Sequence, residues 1–265
     1  MSKKSKLLAK KARISALKAV SRSNSSHIGS ALSMTDILAV LYSDILKYDP
    51  KNEKLKDRDY FILSKGHASL GLYCTLALFK YFDIKKVYSF GKNGSIFGGH
   101  PDRKKIPGVE VSAGSLGHGI GIAVGVAMSA KIKKEKRKII VLIGDGEANE
   151  GTVWESILVA VNLNLNNLII IYDNNKSQKR CLQIENPKKH FKGFGCDVLE
   201  VDGHNINEIK KSLLQKNKGV KVIIANTIKG KGCISIEKNI YEWHRRSPNS
   251  EELKKFLEEL NEKTI

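Results

Sequence analysis

The chain has 265 residues, of which 41% are hydrophobic and 7% are aromatic. A chain of this length and apolar content can bury a sizeable core, so we expect residues 1–265 to form a single domain. No apolar run approaches the roughly 18 residues that a membrane-spanning helix needs, which argues against a membrane protein. The cysteines lack metal-binding or redox spacing, which favours a reducing, cytoplasmic location; they are Cys74, Cys181, Cys196 and Cys233.

The formal net charge of +19 raises the possibility of a nucleic-acid-binding protein. Such a protein would combine a basic patch with stacking aromatic side chains. Here the excess consists mostly of lysines dispersed through predicted helices, as in KIKKEKRK at 131–138. We therefore expect no nucleic-acid partner and interpret the charge as a solvated basic surface, which also attracts anionic cofactors and sugar phosphates.

The first 22 residues have the basic composition of a transit peptide, because no acidic residue precedes Asp36. They are rich in Lys rather than Arg, however, and they lead directly into a motif around His27. We predict that they form the first helix of the mature protein.

Helical patterns alternate with short apolar runs along the rest of the chain, which predicts a doubly wound, mainly parallel α/β sheet. The predicted helices lie around 5–20, 34–46, 67–82, 117–134, 152–163, 205–216 and 250–262. The predicted strands lie at 60–64, 139–143, 168–172, 197–201 and 220–226. The connection 83–116 has little regular pattern, and connections of this length in a compact domain are usually functional.

Two of the predicted strands end in polar residues. KIIVLI precedes Gly144-Asp145-Gly146, and NLIIIYD precedes Asn174-Asn175, with a helical pattern between them. Such a strand-helix-strand unit makes the strands parallel, so Gly146 and Asn175 are expected at the carboxyl-terminal edge of the sheet, where ligands bind. A carboxylate and an amide oxygen there suit a Mg²⁺ that bridges phosphate oxygens, and the glycines let backbone N–H groups approach the same phosphates.

The segment from Gly144 to Gln178 resembles the diphosphate-binding half of transketolase, a thiamine-diphosphate enzyme. It is most similar to the short, separately encoded amino-terminal subunit found in some bacteria. Further stretches agree in family order: SSHIGSALSMTDILAVLY (25–42), DRDYFILSKGHASLGLYC (57–74), FGGHPD (97–102), AGSLGHGIGIAVG (113–125) and KGKGCISIEKNIYEWHRRSPN (229–249). The resemblance implies the thiamine-diphosphate-binding fold, with thiamine diphosphate and Mg as cofactors.

The resemblance also implies which residues hold the cofactors. Asp145 and Asn175 would ligate Mg²⁺ through their side chains, and Ser177 through its backbone carbonyl. Ser115 stands where longer family members have Pro, a tolerable change if only main-chain atoms bind. The residues implied to contact thiamine diphosphate are His67, Gly114, Ser115, Leu116, Gly146, Glu147, Asn175 and His244, of which Glu147 is also interpreted as a first-turn acid that favours the helix dipole.

A catalytic set follows from the same resemblance. The residues that match His27 and His100 face the substrate near the reactive carbon, where an imidazole can move protons. His244 would lie between diphosphate and substrate, and Glu150, at a subunit interface, would help relay protons between active sites. His118, His190 and His204 are assigned no such role.

One catalytic group that the family needs has no counterpart in this sequence. Thiamine catalysis needs a carboxylate that protonates the aminopyrimidine ring, and in transketolases this Glu comes from the second half of the protein. The resemblance therefore implies half an enzyme, completed by a carboxyl-terminal transketolase-like subunit, with two copies of each chain.

The leading interpretation is a two-chain transketolase that moves a two-carbon ketol unit between sugars or sugar phosphates. Two alternatives stay open at this stage. One is a related thiamine enzyme, such as a deoxyxylulose-phosphate synthase or a transketolase for an unusual sugar. The other is a non-catalytic regulatory subunit, because Arg245 replaces a more usual small residue and could crowd the site.

Overall fold

A computed structural model of the protein describes residues 2–23 and 25–262. The five strands of this part form one sheet in the order β1–β2–β3–β5–β4, and every neighbouring pair is parallel. The strands are β1 (Tyr60–Leu63), β2 (Ile139–Gly144), β3 (Leu168–Asn174), β4 (Asp197–Asp202) and β5 (Lys221–Asn226). The predicted parallel sheet is confirmed, with strand ends within two residues of those expected.

Helices cover both faces of the sheet. They are α1 (Ser2–Val20), α2 (Ile28–Ser33), α3 (Thr35–Val40), α4 (Ser69–Leu78), α5 (Ile84–Val87), α6 (His118–Ile132), α7 (Gly151–Asn162), α8 (Pro187–Gly193), α9 (Ile206–Leu214), α10 (Ile234–Lys238) and α11 (Ser250–Glu262). No helix within 2–23 and 25–262 is long and apolar enough to cross a bilayer.

The strands are buried on both sides, which explains why they read as continuous apolar runs rather than as alternating patterns. In β2, Ile140 and Leu142 pack under a layer that includes α1, α3, α4 and α9. Ile139, Val141 and Ile143 point to the other face, under α6, α7 and α8. Each of these side chains is fully buried, and each contributes about 1.5–3 kcal/mol of transfer free energy to folding.

The short helices were not predicted from the sequence. The segment predicted as one helix at 34–46 consists of α3 followed by a π-helical turn, Leu41–Ile45, and α2 precedes it. Helices α2, α5, α8 and α10 have four to seven residues, which is too short to establish a periodic pattern. Apart from α5, the long connection 83–116 has no α-helix or strand, as expected.

The basic first segment forms α1, as predicted. Its small and apolar side chains recur on one face and are buried; they include Ala9, Ala12, Ala16, Leu17 and Val20. This face packs against α3 and α4, while most of the lysines stay in solvent. The helix is therefore part of the core despite its charge.

A buried polar network links α1 to α3 and to the loops that follow β4 and β5. Arg13 donates to both carboxylate oxygens of Asp36 in α3, at 3.2 and 2.6 Å. The Nδ1 of His204, in the loop after β4, lies 2.8 Å from Asp36 Oδ2. The backbone N–H of Ile228 donates to His204 Nε2 at 2.8 Å, so the proton of a neutral His204 lies on Nδ1 and is donated to Asp36.

Burial alone would raise the pKa of Asp36, but the charge of Arg13 and hydrogen bonds from His204 and Arg13 lower it to about 2, from an ordinary 3.8. Because the folded pKa is lower, the ionised carboxylate stabilises the fold by about 2 kcal/mol at neutral pH. That contribution is complete above pH about 4 and is lost as the pH falls through 2.

We predict that Asp36→Asn lowers the free energy of unfolding at pH 7 by about 3–5 kcal/mol, because Arg13 then lies buried beside a neutral partner. The difference in unfolding free energy between wild type and variant should narrow below pH 4, where Asp36 of the unfolded wild type takes up a proton and the stabilising contribution begins to fall. Urea unfolding at pH 7 and at pH 3 measures both effects. In Asp102→Asn, which breaks an exposed pair with Lys105, the change should stay below about 1 kcal/mol. A loss for Asp36→Asn that does not change with pH would contradict the prediction.

Candidate active site

Polar residues converge where β2 and β3 end. Gly144 is the register partner of Asp173, so Asp145, one residue beyond Gly144, and Asn175, two residues beyond Asp173, leave the sheet close together at its carboxyl edge. Ser177 joins them: its hydroxyl donates to Asp145 Oδ1 at 2.6 Å, and its backbone N–H donates to Asn175 Oδ1 at 3.1 Å. Lys176 adopts a left-handed conformation, with φ of 59°, and turns the chain so that both bonds form.

These oxygens fit a magnesium ion. Asp145 and Asn175 are buried, and within residues 2–23 and 25–262 the one hydrogen-bond contact of Asp145 Oδ2 is with the N–H of Gln178, at 3.4 Å. Among the residues described, no three His, Cys, Asp or Glu side chains are grouped to hold a metal. Asp145 and its neighbours Asn175 and Ser177 offer one carboxylate together with neutral oxygens. This set suits Mg²⁺, which usually combines one or two carboxylates with waters and phosphates.

A buried ion pair lies next to these residues. The ammonium of Lys65, just beyond β1, donates to Asp173 Oδ2, and both side chains are almost completely buried. Asp173 also accepts from Ser33 at 2.7 Å, from Asn175 at 3.2 Å, and from the hydroxyl of Thr227. Burial would raise the pKa of Asp173, but the charge and hydrogen bond of Lys65, followed by those hydroxyls, keep it below its usual value. Asp173 therefore fixes the side chains of Asn175, Ser33 and Lys65 relative to one another.

Three of the four motif histidines meet beside this edge. The ring centroid of His27 lies 5.1 Å from that of His67 and 4.7 Å from that of His244. The backbone N–H of His27 donates to the carbonyl of His244 at 3.2 Å. His27 has a φ of 71°, a left-handed conformation that non-glycine residues adopt at a cost of about 1–3 kcal/mol, so the surrounding contacts hold it in place.

Lys229 supplies a positive charge to this histidine cluster. Its side chain is buried, and its Nζ lies 2.8 Å from Nδ1 of His244. Burial lowers the pKa of Lys229 to about 8, although the carboxylates of Asp145 and Asp173 oppose the shift. A protonated Lys229 donates to Nδ1, which leaves the proton of a neutral His244 on Nε2.

All three clustered imidazoles are held neutral at physiological pH. Burial lowers the pKa of His244 to about 4, with help from the charges of Lys229, His27 and Arg245. Burial also lowers the pKa of His67 well below 6.5, and the charge of Lys65 adds to this effect. The pKa of His27 is lowered by burial, then by Lys229 and His100. Neutral imidazoles can both donate and accept hydrogen bonds, as proton transfer requires.

His100 lies at the rim rather than in the cluster. It is exposed, and its ring rests against Gly114 in the loop that precedes α6. Gly66 allows this loop to approach His67, because a Cβ at residue 66 would lie 2.5 Å from the carbonyl oxygen of Ala113. Gly114 and Ser115 are exposed and Leu116 is half-buried, so this loop forms one wall of the site.

Glu147 is buried and tied into the backbone. It lies in a 3₁₀ turn after β2, with its carboxylate accepting from Gly117 N at 2.9 Å, from Gly144 N at 3.1 Å and from the Ser64 hydroxyl. Burial raises its pKa, and those three hydrogen bonds oppose the shift. Gly117, with a φ of 82°, makes the turn into α6. The carboxylate of Glu147 thus fixes the wall loop to the strand ends.

The remaining predicted residues have simpler surroundings. The N–H of Gly146 donates to Asp145 Oδ1 at 2.9 Å. Glu150 is exposed at the start of α7, and its carboxylate makes no hydrogen bond or ion pair with other described residues. His118 contacts the carbonyl of Leu116 on the surface, and His190 that of Asn186. Arg245 is exposed beside His244 rather than packed into the cluster.

Several residues at the site were not predicted from the sequence: Lys65, Asp173, Ser33, Thr227 and Lys229. All lie in or next to motifs already singled out. Asp173 had a detectable signal, because residues i and i+2 of a strand face the same way and Asn175 was already a candidate. Lys229 had no such signal. It reaches the site because β5 lies beside β3, and this follows only from the order of the strands in the sheet.

The fold and site together define a parallel α/β protein of the kind that binds ligands at the carboxyl edge of the sheet. The family model "Transketolase, thiamine diphosphate binding domain" matches residues 4–260. The chain belongs to this transketolase family of thiamine-diphosphate-binding transferases.

Relatives and solved structures agree with this assignment. An apulose-4-phosphate transketolase subunit of Actinobacillus succinogenes is 41% identical over 89% of this chain and 88% of its own length. The 6-deoxy-6-sulfo-D-fructose transketolase subunit of a Clostridium species is 34% identical over 78% of each chain. The transketolase structure from Campylobacter jejuni superimposes with a TM-score of 0.88 at 33% identity. It aligns with 97% of this chain but with only 43% of its own chain, so the present chain spans less than half its length.

The contact between Lys229 and His244 can be tested by titration. Since the ammonium disfavours an adjacent imidazolium, Lys229→Met should raise the pKa of His244 from about 4 toward 6.5, without reaching it, because burial remains. NMR titration of the imidazole resonances gives the pKa directly. Lys231→Met, in the same loop, is the control and should leave His244 unchanged. Identical titrations for wild type and Lys229→Met would refute the proposed charge effect.

Proposed function

We propose that the chain is the amino-terminal subunit of a two-chain transketolase that moves a two-carbon ketol unit from a ketose to an aldose. The observation that carries the proposal is the juxtaposition of two groups of residues. The oxygens of Asp145, Asn175 and Ser177 lie at the same edge of the sheet as a cluster of three neutral histidines. The first group suits a metal-bound diphosphate, and the second suits the hydroxyls of a sugar.

In this proposal Asp145, Asn175 and the carbonyl of Ser177 would hold Mg²⁺, and the charge of the ion would favour binding of the cofactor diphosphate. His67, Gly146 and His244 would contact the diphosphate, and Asn175 would reach it through the metal. Glu147 would act on the cofactor indirectly, because its carboxylate holds the backbone of Gly117 and Gly144 beside it. The backbone of Gly114, Ser115 and Leu116 approaches the aminopyrimidine. Bound thiamine diphosphate supplies the nucleophilic carbon that accepts the two-carbon unit.

The chain's own catalytic groups are His27, His100 and His244. His27 and His244 are neutral and in ring contact. His27 can accept a proton from a sugar hydroxyl and return it, whereas the Nε2–H of His244 can donate a hydrogen bond to the sugar. The buried Lys229 keeps Nδ1 of His244 occupied, which directs the chemistry of that ring to Nε2. His100, exposed at the rim, would meet the substrate as it enters.

The partner in this proposal is a carboxyl-terminal transketolase-like subunit, which supplies the carboxylate that activates the cofactor. The names of several relatives, which call each of them one subunit of a transketolase, support such a division. Two copies of each chain are proposed, with Glu150 near the interface. Exposed apolar side chains on α6, on α7 and directly after α7 support an interface on this face; they are Ile122, Met128, Ile132, Leu158, Val159 and Leu163.

The substrates are proposed to be sugars that carry a terminal anionic group. Two relatives are named for a sugar phosphate and one for a sulfonated sugar, which supports this class without naming the substrate of this chain. That residues 1–265 make a single domain stays a prediction. A cytoplasmic location also stays a prediction.

The metal assignment predicts unequal effects of two substitutions. Asp145→Ala removes the only charged ligand and should weaken thiamine diphosphate binding in Mg²⁺ by about 10–100-fold, whereas Asn175→Ala should weaken it much less. Isothermal calorimetry with and without EDTA measures both. Asp202→Ala, at the same sheet edge but two strands away from β3, should bind normally. Unchanged, EDTA-insensitive affinity in Asp145→Ala would exclude this metal site.

The half-enzyme assignment predicts that the isolated chain transfers no ketol unit and gains activity on mixing with the carboxyl-terminal subunit. The activating carboxylate comes from that partner, so hydrogen exchange at the thiazolium carbon should be slow with this chain alone and fast in the complex. NMR of the bound cofactor follows the exchange. Rapid exchange with the lone chain would rule out the half-enzyme proposal.

A further inference from the structure

A second pocket, which we call the loop pocket, lies between two surface loops. One wall is the segment 49–58, which leads into β1, and the other is the segment 103–110 of the long connection before α6. Its volume of about 370 Å³ is at the small end of the range for ligand pockets, about 300–1,000 Å³. The lining contains none of the residues proposed to bind metal, cofactor or substrate.

Fixed contacts hold the two walls of the loop pocket together. The guanidinium of Arg58 donates to both carboxylate oxygens of Glu110, and both side chains are largely buried. The N–H of Gly108 donates to Glu53 Oε1 at 3.0 Å. Gly108, with a φ of 80°, lies against the ring of Tyr81, because a Cβ at this residue would come within 2.7 Å of the ring. The pocket is therefore formed by the protein itself, before any ligand binds.

The charge without a partner in the loop pocket is positive. Five basic and three acidic side chains line it, and Glu110 is already paired with Arg58. Within residues 2–23 and 25–262, the exposed side chains of Lys54, Arg103 and Lys104 make no hydrogen bond or ion pair. Guanidinium and ammonium groups bind phosphate oxygens through charge-assisted hydrogen bonds. Three such groups around one small pocket suit a single phosphate.

The acidic side chains of the loop pocket favour a ligand that also carries hydroxyl groups. Glu53 uses one oxygen to accept from Gly108, and Asp49 uses Oδ1 to accept from the N–H of Lys51 at 2.9 Å. The second oxygen of each carboxylate accepts no hydrogen bond from the described part of the chain. These oxygens can accept from hydroxyls and would repel a second phosphate. The lining therefore suits the monophosphate of a small sugar or polyol.

One wall of the loop pocket is continuous with the proposed catalytic site. The N–H of Ala113 donates to the carbonyl of Pro101 at 3.2 Å, so that the segment 101–113 is a loop closed at its base. His100 and Gly114 flank this base, and the ring of His100 rests against Gly114. The far end of the same loop forms the pocket, so a ligand there contacts the loop that carries His100.

We propose that the loop pocket is a second ligand site, which binds the monophosphate of a small sugar or polyol through Lys54, Arg103 and Lys104. Lys54 belongs to one wall, whereas Arg103 and Lys104 belong to the other. A phosphate held by both walls links them, and it thereby restrains the loop that carries His100. Binding at this pocket is independent of the proposed function, because its lining shares no residue with the catalytic site.

The test titrates the full chain with glycerol 3-phosphate, a polyol monophosphate, and follows the backbone amide resonances by NMR. Those of Lys104 and Gly108 should shift saturably, and that of His100 should shift with the same midpoint. Sulfate has the charge and shape of the phosphate group but lacks the hydroxyls. It should bind about 5–10-fold more weakly, as expected for the loss of one or two hydrogen bonds.

Two substitutions test the cationic side of the pocket. Arg103→Gln and Lys104→Gln should each weaken glycerol 3-phosphate binding by about 10-fold, the loss expected for one charge-assisted hydrogen bond. Lys51→Gln is the matched control, because Lys51 is an exposed lysine of the segment 49–58 that does not line the pocket. It removes the same charge and should leave the dissociation constant unchanged.

Each of several results would overturn part or all of this proposal. Amide shifts at 103–110 that do not saturate, or equal weakening by Lys51→Gln, would reduce the pocket to general attraction by a basic surface. Shifts confined to His27 and His67 would place the ligand in the catalytic site instead. Equal affinity for sulfate would exclude the role of the hydroxyls, and a silent His100 would exclude the restraint on its loop. None of these readouts requires ketol transfer, so the proposed function stands or falls separately.

Discussion

The site depends on one buried ion pair, Lys65–Asp173. Asp173 is the last residue but one of β3, Lys65 follows β1, and β2 lies between these strands, so the pair connects the strands on either side of Asp145. Removing one member of such a pair costs about 3–5 kcal/mol, because the other charge is left buried without compensation. The pair also carries a geometric role: Ser33, Asn175 and Thr227 all hydrogen-bond to the same carboxylate. Burying a charge is usually destabilising. In this protein the buried carboxylate of Asp173 also orients the groups around the proposed metal position.

Positive charge and burial act together in the histidine cluster. Lys65 and Lys229 are both buried near His67 and His244, and both disfavour protonation of the rings. The same ammonium groups offer an attractive environment to a diphosphate. The chain alone is thus adapted to an anionic ligand, which agrees with a family defined by a diphosphate cofactor. Two effects, neutral imidazoles and anion attraction, follow from the same charges.

Much of the fold could be predicted from the sequence, because β-branched apolar runs such as IIVLI and LIIIY leave little alternative to buried parallel strands. The convergence of Asp145 and Asn175 could also be predicted, since a strand-helix-strand unit makes its strands parallel. The contact between Lys65 and Asp173 could not, because these residues are 108 positions apart and meet only through the strand order. The same holds for Thr227 and Lys229, which reach the site because β5 lies between β3 and β4. The left-handed backbone of His27 has no local sequence signal either, since it is held by tertiary contacts such as the bond to His244.

A hydrogen-bonded chain runs from Arg13 in α1 through Asp36 and His204 to Ile228. Because of this chain, the first helix constrains how the active site can evolve. Arg13 contacts no proposed site residue, yet its carboxylate partner fixes the imidazole that holds the backbone immediately before Lys229. A substitution at any of the three side chains leaves a buried partner unsatisfied. Replacements at these positions should therefore occur together. Among homologues we expect Arg13, Asp36 and His204 to covary, even though none of them contacts the substrate.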